Sequence, residues 1–259
     1  MAQMWTEKRV VTSPDAPTLA AAVAERLLSR LARRSAAGKV SHIALAGGQI
    51  GTAVLRAAGE SPRRTDVDWS SVHVWWGDEV FAPRDDLERH ERAAREALLD
   101  HIEIPAENLH AIVGSDTVDD PDAAASAYAD ELARFGSAEQ AWPEFYVCFL
   151  GVGSDGHIAS LFPDRREIQD TDHTAVAVRD APKPPAVRVT MTRPVINSAR
   201  CVWLVVSGTD KAAALGLALA GASYETVPAA GAKGRKRTMF FVDDAAAANV
   251  PAELIDQDF

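Results

Sequence analysis

FLGVGSDGHIASLF, from Phe149 to Phe162, is the stretch on which the reading of this chain turns. It closes an apolar run that begins at Phe145, short and continuous as a buried strand is. Glycines at 151, 153 and 156 then leave the backbone free to turn sharply. The residues after them read as the first turns of a helix. Asp155 and His157 stand at the apex of this strand-to-helix corner. Asp155 is placed to cap the helix. His157 then lies in its first turn, where the positive end of the dipole disfavours imidazolium. A neutral imidazole near neutral pH is what a general base requires. The alternative is a structural histidine, for which a core position between Gly156 and Ile158 is awkward.

Outward from the corner, strands and helices alternate. Pro17 to about Gly38 is predicted as an amphipathic helix, with Leu19, Val23, Leu27 and Leu31 repeating along one face. His42–Ala46 is a strand entering Gly47-Gly48-Gln49, with a helix from about Thr52. Val72–Trp76 is a strand ending in Gly77-Asp78-Glu79, followed by a helix over about Leu87–Asp100. Asp120-Pro121 starts another helix. Beyond the corner, Thr174–Val178, Val187–Thr192, Cys201–Val206 and Thr238–Val242 read as strands, Asp210–Ala220 as a helix and Ala245–Ala248 as a short closing one. This alternation predicts a single α/β domain over residues 1–259, a Rossmann-like, mostly parallel sheet with helices on both faces. In such sheets ligands bind outside the carboxyl ends of the strands. Gly47-Gly48, Asp78-Glu79, Gly151–His157 and Ser207–Lys211 each follow a predicted strand, so all four are expected on one edge.

Composition bounds the function. The chain has 259 residues, 47% hydrophobic and 25% charged, and a formal net charge of -10. No basic stripe is present, which argues against a nucleic-acid partner. No run reaches the roughly 18 apolar residues of a membrane span, and Met1–Val10 lacks the apolar core of a secretory leader. Cys148 and Cys201 lie in apolar strands and are read as buried, reduced thiols. A cytoplasmic location fits these features. Lys233–Arg237 is expected to be an exposed basic loop. The seven histidines show no metal-ligand spacing, and no G-x-S-x-G elbow is present.

The remaining polar residues each have two readings. AGGQIG, Ala46–Gly51, is either a tight turn or a set of backbone N–H groups approaching a phosphate at a helix N-terminus. Asp78 and Glu79 either cap a loop or orient substrate hydroxyls. Arg188, within a half-buried strand, wants an anionic partner, a protein carboxylate or a ligand phosphate. Lys211 is either solvated or a ligand contact.

Taken together the segments resemble the 6-phosphogluconolactonase family. The likeness is carried by WWGDEVFAPRDDLERHERAAREALL (Trp75–Leu99), FLGVGSDGHIASLFP (Phe149–Pro163), KPPAVRVTMT (from Lys183), VWLVVSGTDKAAAL (from Val202) and VPAAGAKGR (from Val227). More distantly the chain is similar to glucosamine-6-phosphate deaminase, which implies a deaminase-like architecture. The resemblance implies hydrolysis of 6-phospho-D-glucono-1,5-lactone without metal or organic cofactor, by a monomer or weak homo-oligomer. On it, His157 takes a proton from the attacking water, Asp155 orients that site, and Asp78 and Glu79 line it. It places the phosphate at Gly47, Gly48 and Gln49, with Arg188 and Lys211. Three positions depart from the family pattern. AGGQIG lacks the usual hydroxyls, Val80 replaces the arginine after G-D-E, and His90 replaces asparagine. Compensation by Arg84 or Arg89, an altered sugar-phosphate isomerase or deaminase activity, and a weakened, non-catalytic sugar-phosphate-binding homologue all remain open on sequence.

Overall fold

The strand that leads into the corner is the middle of a seven-stranded sheet. The computed structural model describes residues 8–256; Met1 to Glu7, on which most of the leader expectation rests, lie outside the described residues. The elements are β1 (Lys8–Ser13), α1 (Ala16–Ala36), β2 (Ser41–Leu45), α2 (Gly48–Glu60), β3 (Val72–Trp76), β4 (Asp78–Val80), α3 (His90–Ala97), β5 (Leu109–His110) and α4 (Pro121–Arg134). There follow β6 (Phe145–Gly151), α5 (Arg166–Gln169), β7 (Ala175–Val178), β8 (Arg188–Met191), α6 (Arg193–Asn197), β9 (Cys201–Val206), α7 (Ala212–Leu219) and β10 (Arg237–Asp243). The main sheet runs β1-β10-β9-β6-β2-β3-β5, and every pair in it is parallel.

Parallel strands are buried on both faces and therefore read as near-continuous apolar runs. All six residues of β9 are buried. Side chains alternate across the sheet. Trp203 meets Arg30 of α1 on one face, and Trp75 meets Tyr128 of α4 on the other. α1 forms as its sequence predicts. Asp15 accepts a hydrogen bond from the Thr18 N–H at 2.8 Å, Pro17 occupies the first turn, and Leu19, Val23, Leu27 and Leu31 are buried. Cys148 and Cys201 are buried free thiols. Among the described residues no helix is long and apolar enough to cross a membrane.

Three expectations need correction. The strands over 174–192 do not join the parallel sheet. β4, β8 and β7 form a separate antiparallel sheet, with Asp78 opposite Thr190 and Val80 opposite Arg188. Gly77 couples the two sheets, donating to the Leu45 carbonyl at 3.0 Å and accepting from the Met191 N–H at 2.8 Å. Second, α3 begins at His90 rather than Leu87, and α2 at Gly48 rather than Thr52. Third, no helix follows the corner: Gly156 and Ala159 take positive φ (85° and 48°), and Ile158 pairs with Leu161 in a turn. Left-handed residues at that spacing break a right-handed helix. Asp155 therefore caps no helix, and no helix dipole acts on His157 from this turn.

The edge of the sheet holds features that sequence spacing concealed. β5 is only two residues long and pairs no further than Trp75. The Tyr128 hydroxyl serves the next residue, donating to the Trp76 carbonyl at 2.9 Å and accepting from its N–H at 3.0 Å. That contact supports the backbone from which Gly77 and Asp78 emerge. Below it, His42, His73 and His110 stack across β2, β3 and β5, with ring centroids 4.6 and 5.2 Å apart. His110 bonds His73 at 2.9 Å and Glu131 at 2.7 Å, and Trp75 Nε1 donates to His42 Nδ1 at 3.1 Å. Burial, reinforced by His73 and His110, pushes His42 down to about 3. Burial also lowers His73 and His110, the latter against the opposing pull of Glu131.

These depressed values stabilise the fold above the ordinary histidine range, and the contribution is lost as pH falls below it, because the unfolded chain then binds more protons. The thermal midpoint is expected to drop between about pH 7 and pH 5. His42→Asn, whose amide oxygen can replace Nδ1 as the acceptor for Trp75 but cannot titrate, should lose less over that interval. Parallel losses in the two proteins, read by thermal unfolding, would contradict this account of the ladder.

Candidate active site

β2 and β6 are neighbours, yet the chain leaving β2 returns as β3 on one side while the chain leaving β6 returns as β9 on the other. Such a switch point opens a crevice at the carboxyl edge. Here it is a cavity of about 510 Å³, lined by segments from all four predicted strand ends. Gly47, Gly48 and Gln49 contribute from the β2–α2 turn, and Gly77 and Asp78 from the end of β3. Gly151 to Gly153 and His157 come from the corner, and Ser207 and Lys211 from the end of β9.

At the corner, His157 Nδ1 lies 2.6 Å from Asp155 Oδ1, and the same oxygen accepts from the His157 N–H at 3.3 Å. Burial would raise the Asp155 pKa, but the hydrogen bonds and charge of His157, with help from Lys183, hold it at about 2. The carboxylate is therefore ionised and can only accept. It fixes the ring proton on Nδ1 and leaves Nε2 as the nitrogen available to the cavity. The Phe162 ring packs 4.6 Å from the imidazole. A Cβ at residue 153 would stand 2.0 Å from His157 Nδ1, so this glycine is required by close approach of the pair.

Asp78 lies in the cavity wall and is almost fully buried. Its Oδ2 accepts from the Ser160 hydroxyl at 2.6 Å, and Arg188 Nη1 stands 3.9 Å away. Arg188 has a second duty. Its remaining nitrogens donate to the carbonyls of Pro185 (2.9 Å), Lys183 (3.2 Å) and Pro184 (3.3 Å), so the guanidinium holds the proline-rich loop closed against the site. Both partners offered by the sequence are thus open to it, a protein carboxylate and the cavity. Lys211 also reaches the cavity, where it pairs with Asp210. Gly48 and Gln49 are exposed in the first turn of α2, whose N-terminus has no side-chain cap.

Glu79 is placed elsewhere. It does not line the cavity; its carboxylate accepts from the N–H groups of Val80 (2.8 Å), His90 (2.7 Å) and Glu91 (2.8 Å). It is the cap of α3, supplied from 11 residues upstream of His90, and this explains where that helix starts. Val80 is buried in β4 beside Arg188 rather than in the cavity wall. Neither proposed substitute for an arginine there reaches the cavity. Arg84 is mostly exposed and pairs with Glu91. Arg89 is fully buried, donating to the carbonyls of Val80, Ala82 and Ile112.

Two participants escaped the sequence reading. Lys183 lines the cavity with its amine 3.4 Å from Ser154 Oγ and 3.8 Å from Asp155. Its position between two prolines was the available signal, since rigid flanks fix the direction of a side chain. Ser160, fully buried, is the hydroxyl that orients Asp78. Among the described residues no group of three or more His, Cys, Asp or Glu could hold a metal ion.

The comparisons with known proteins follow the same lines. The family model described as glucosamine-6-phosphate isomerases/6-phosphogluconolactonase matches residues 14–241. A protein of Streptomyces coelicolor named 6-phosphogluconolactonase is 42% identical over 250 residues, spanning 95% of this chain and 96% of that one. The solved structure of 6-phosphogluconolactonase from Trypanosoma brucei superposes with a TM-score of 0.81 at 25% identity, covering 95% of this chain and all of that one (100%). A monomeric glucosamine-6-phosphate deaminase superposes with a TM-score of 0.76 over 93% of this chain and 99% of that one. At 19% identity that likeness is one of fold.

Removing the Glu79 carboxylate should act on the fold. Glu79→Ala leaves buried donors at the start of α3 unpaired, a loss of about 2 kcal/mol or more. The thermal midpoint is expected to fall by several degrees. An unchanged midpoint would free this carboxylate for a role toward a ligand.

Proposed function

The chain belongs to the glucosamine-6-phosphate isomerase/6-phosphogluconolactonase family, and we propose how its cavity performs the family's lactone hydrolysis. The reaction converts 6-phospho-D-glucono-1,5-lactone to 6-phosphogluconate in the oxidative pentose phosphate pathway. The observation that carries the reading is the Asp155–His157 pair, 2.6 Å apart at the mouth of a switch-point cavity with an uncapped helix N-terminus opposite.

Water is a weak nucleophile and needs a base as it attacks the lactone carbonyl. His157 Nε2 takes that proton, while Asp155, held at about 2, remains an anion and steadies the imidazolium that forms. The tetrahedral intermediate then collapses with cleavage of the C1–ring oxygen bond. The proton on His157 Nε2 passes to the departing ring oxygen, so the histidine ends as it began. Lys183, on the Asp155 side of the cavity, supplies positive charge close to the reacting carbonyl. The phosphate lies against the N–H groups of Gly47, Gly48 and Gln49 at the start of α2, with Lys211 and Arg188 beside them. Asp78, held by Ser160, accepts from sugar hydroxyls.

An isomerase or deaminase reading has the shared family model and a fold likeness behind it, whereas lactonase names attach to relatives with 42% identity along the chain. The intact acid–base pair speaks against a purely binding homologue. The free thiols Cys148 and Cys201 fit a reducing compartment such as the cytoplasm.

The rate of lactone opening above the spontaneous background, followed by acid release, is the deciding measurement. His157→Ala should lower kcat by about 100-fold or more, the scale of a lost general base, with an unchanged thermal midpoint. Asp155→Asn should lower it by a smaller factor. Near-normal turnover in His157→Ala would remove the imidazole from the mechanism. Activity on glucosamine-6-phosphate with none on the lactone would overturn the assignment.

A further inference from the structure

One polar group on the cavity wall has no part in the chemistry above. His90 opens α3, and its ring lines the cavity beside the β2–α2 turn. Its Nδ1 lies 3.0 Å from the Asp78 carbonyl. A carbonyl oxygen can only accept, so this bond keeps a proton on Nδ1. Nε2 is left for whatever occupies the cavity, and it lies against the turn. A Cβ at residue 47 would stand 2.3 Å from it, which is why that position is glycine.

The groups around the ring determine its charge. On β4, Asp78 Oδ1 is 3.7 Å and Glu79 Oε1 3.9 Å from Nδ1. On β8, the Arg188 guanidinium opposes them. Lys183, Lys211 and His157 face the same cavity from their own loops. The adjacent Arg89 and Glu91 pair with each other at 3.3 Å. Burial alone lowers a histidine, but the two carboxylates and the Asp78 carbonyl outweigh both burial and Arg188, so His90 titrates above the ordinary histidine range.

We propose that His90 is a proton-dependent anion-binding residue, whose imidazolium Nε2–H joins the Gly47–Gly48 turn in holding the substrate phosphate. The inference rests on the reading of that turn as the phosphate cradle. The charged ring uses both N–H groups, one on Asp78 and one on the phosphate. The neutral ring keeps the Asp78 bond and turns a lone pair toward the phosphate. Phosphate affinity contributed by His90 is therefore present at low pH and lost as pH rises through the raised pKa.

The test uses 6-phosphogluconate, which the enzyme does not consume, and gluconate, which lacks the phosphate. Calorimetric Kd values are measured for the wild type, His90→Asn and His90→Gln. The Asn amide can stand where Nδ1 does, toward the Asp78 carbonyl, and the Gln amide reaches the place of Nε2 without a titratable charge; thermal midpoints near that of the wild type certify their folding. Loss of a charge-assisted hydrogen bond should weaken 6-phosphogluconate binding by about ten- to a hundred-fold near pH 6, and the gap should narrow as pH rises. The phosphate's own titration is common to both proteins and cancels in the ratio. Gluconate binding should be insensitive to either substitution. A ratio that does not vary with pH, or an equal effect on gluconate, would overturn the role of His90 while leaving the lactonase reading intact. A wild type that binds neither ligand and opens no lactone would remove both.

Discussion

Two adjacent parallel strands whose chains depart in opposite directions open a crevice above the carboxyl edge of the sheet. β2 and β6 are that pair. Neighbouring strands pointing the same way bring their carboxyl ends, and the loops that follow, to a common edge. The crevice between them is therefore a consequence of strand order, and the loops furnish it. The glycines of the β2–α2 turn keep one wall low and rich in N–H groups. The corner after β6 raises the other wall and carries the imidazole. A different strand order would leave the same residues without a common cavity.

Between those walls, the short sheet of β4, β8 and β7 settles a problem of buried polarity. Asp78 and Glu79 are adjacent in the chain and both almost fully buried, which is costly for carboxylates without partners. The strand alternation sends them opposite ways. Glu79 turns inward and finds the N–H groups at the start of α3. Asp78 turns toward the cavity, with the Ser160 hydroxyl and Arg188 close by. Arg188 in turn closes the loop carrying Lys183. Each polar group thereby positions the next, through contacts made within the protein.

Much of the main sheet was legible because fully buried parallel strands are short, continuous apolar runs, and Val72–Trp76 and Cys201–Val206 were bounded correctly. The second sheet was not. β7 and β8 have four residues each, and period-2 alternation identifies a strand without naming its partner. The helix expected after His157 failed because Gly156 and Ala159 adopt left-handed backbone, which composition permits but does not announce. The Asp155–His157 pair survived that error, since two residues of spacing suffice to bring carboxylate and ring together. Glu79 kept two readings in the sequence, a cap or a ligand contact, for a different reason. A carboxylate after a strand looks the same in sequence whether it caps a helix many residues later or faces a ligand. The histidines of β2, β3 and β5 read as scattered because their stack exists only across strands.

An acidic protein that holds a phosphorylated ligand must keep its surplus charge away from the site. With a formal net charge of -10, the chain has its cations locally ordered at the cavity. Among the described residues, Arg188, Lys183 and Lys211 line it together with the carboxylate of Asp78. Charges more than about 8 Å away through solvent are largely screened at physiological ionic strength, so the distant acidic surface weighs little against these neighbours. Each cation also has a carboxylate close at hand: Asp78, Asp155 or Asp210. Those carboxylates hold the cations in place before a ligand arrives, and they moderate the field that the ligand meets. On the proposed chemistry, opening the lactone creates a new carboxylate at the carbon nearest His157, and thus close to the ionised Asp155. The charge that fixes the tautomer of the base then also faces the carboxylate that forms, with the Lys183 amine 3.8 Å from Asp155 to offset it.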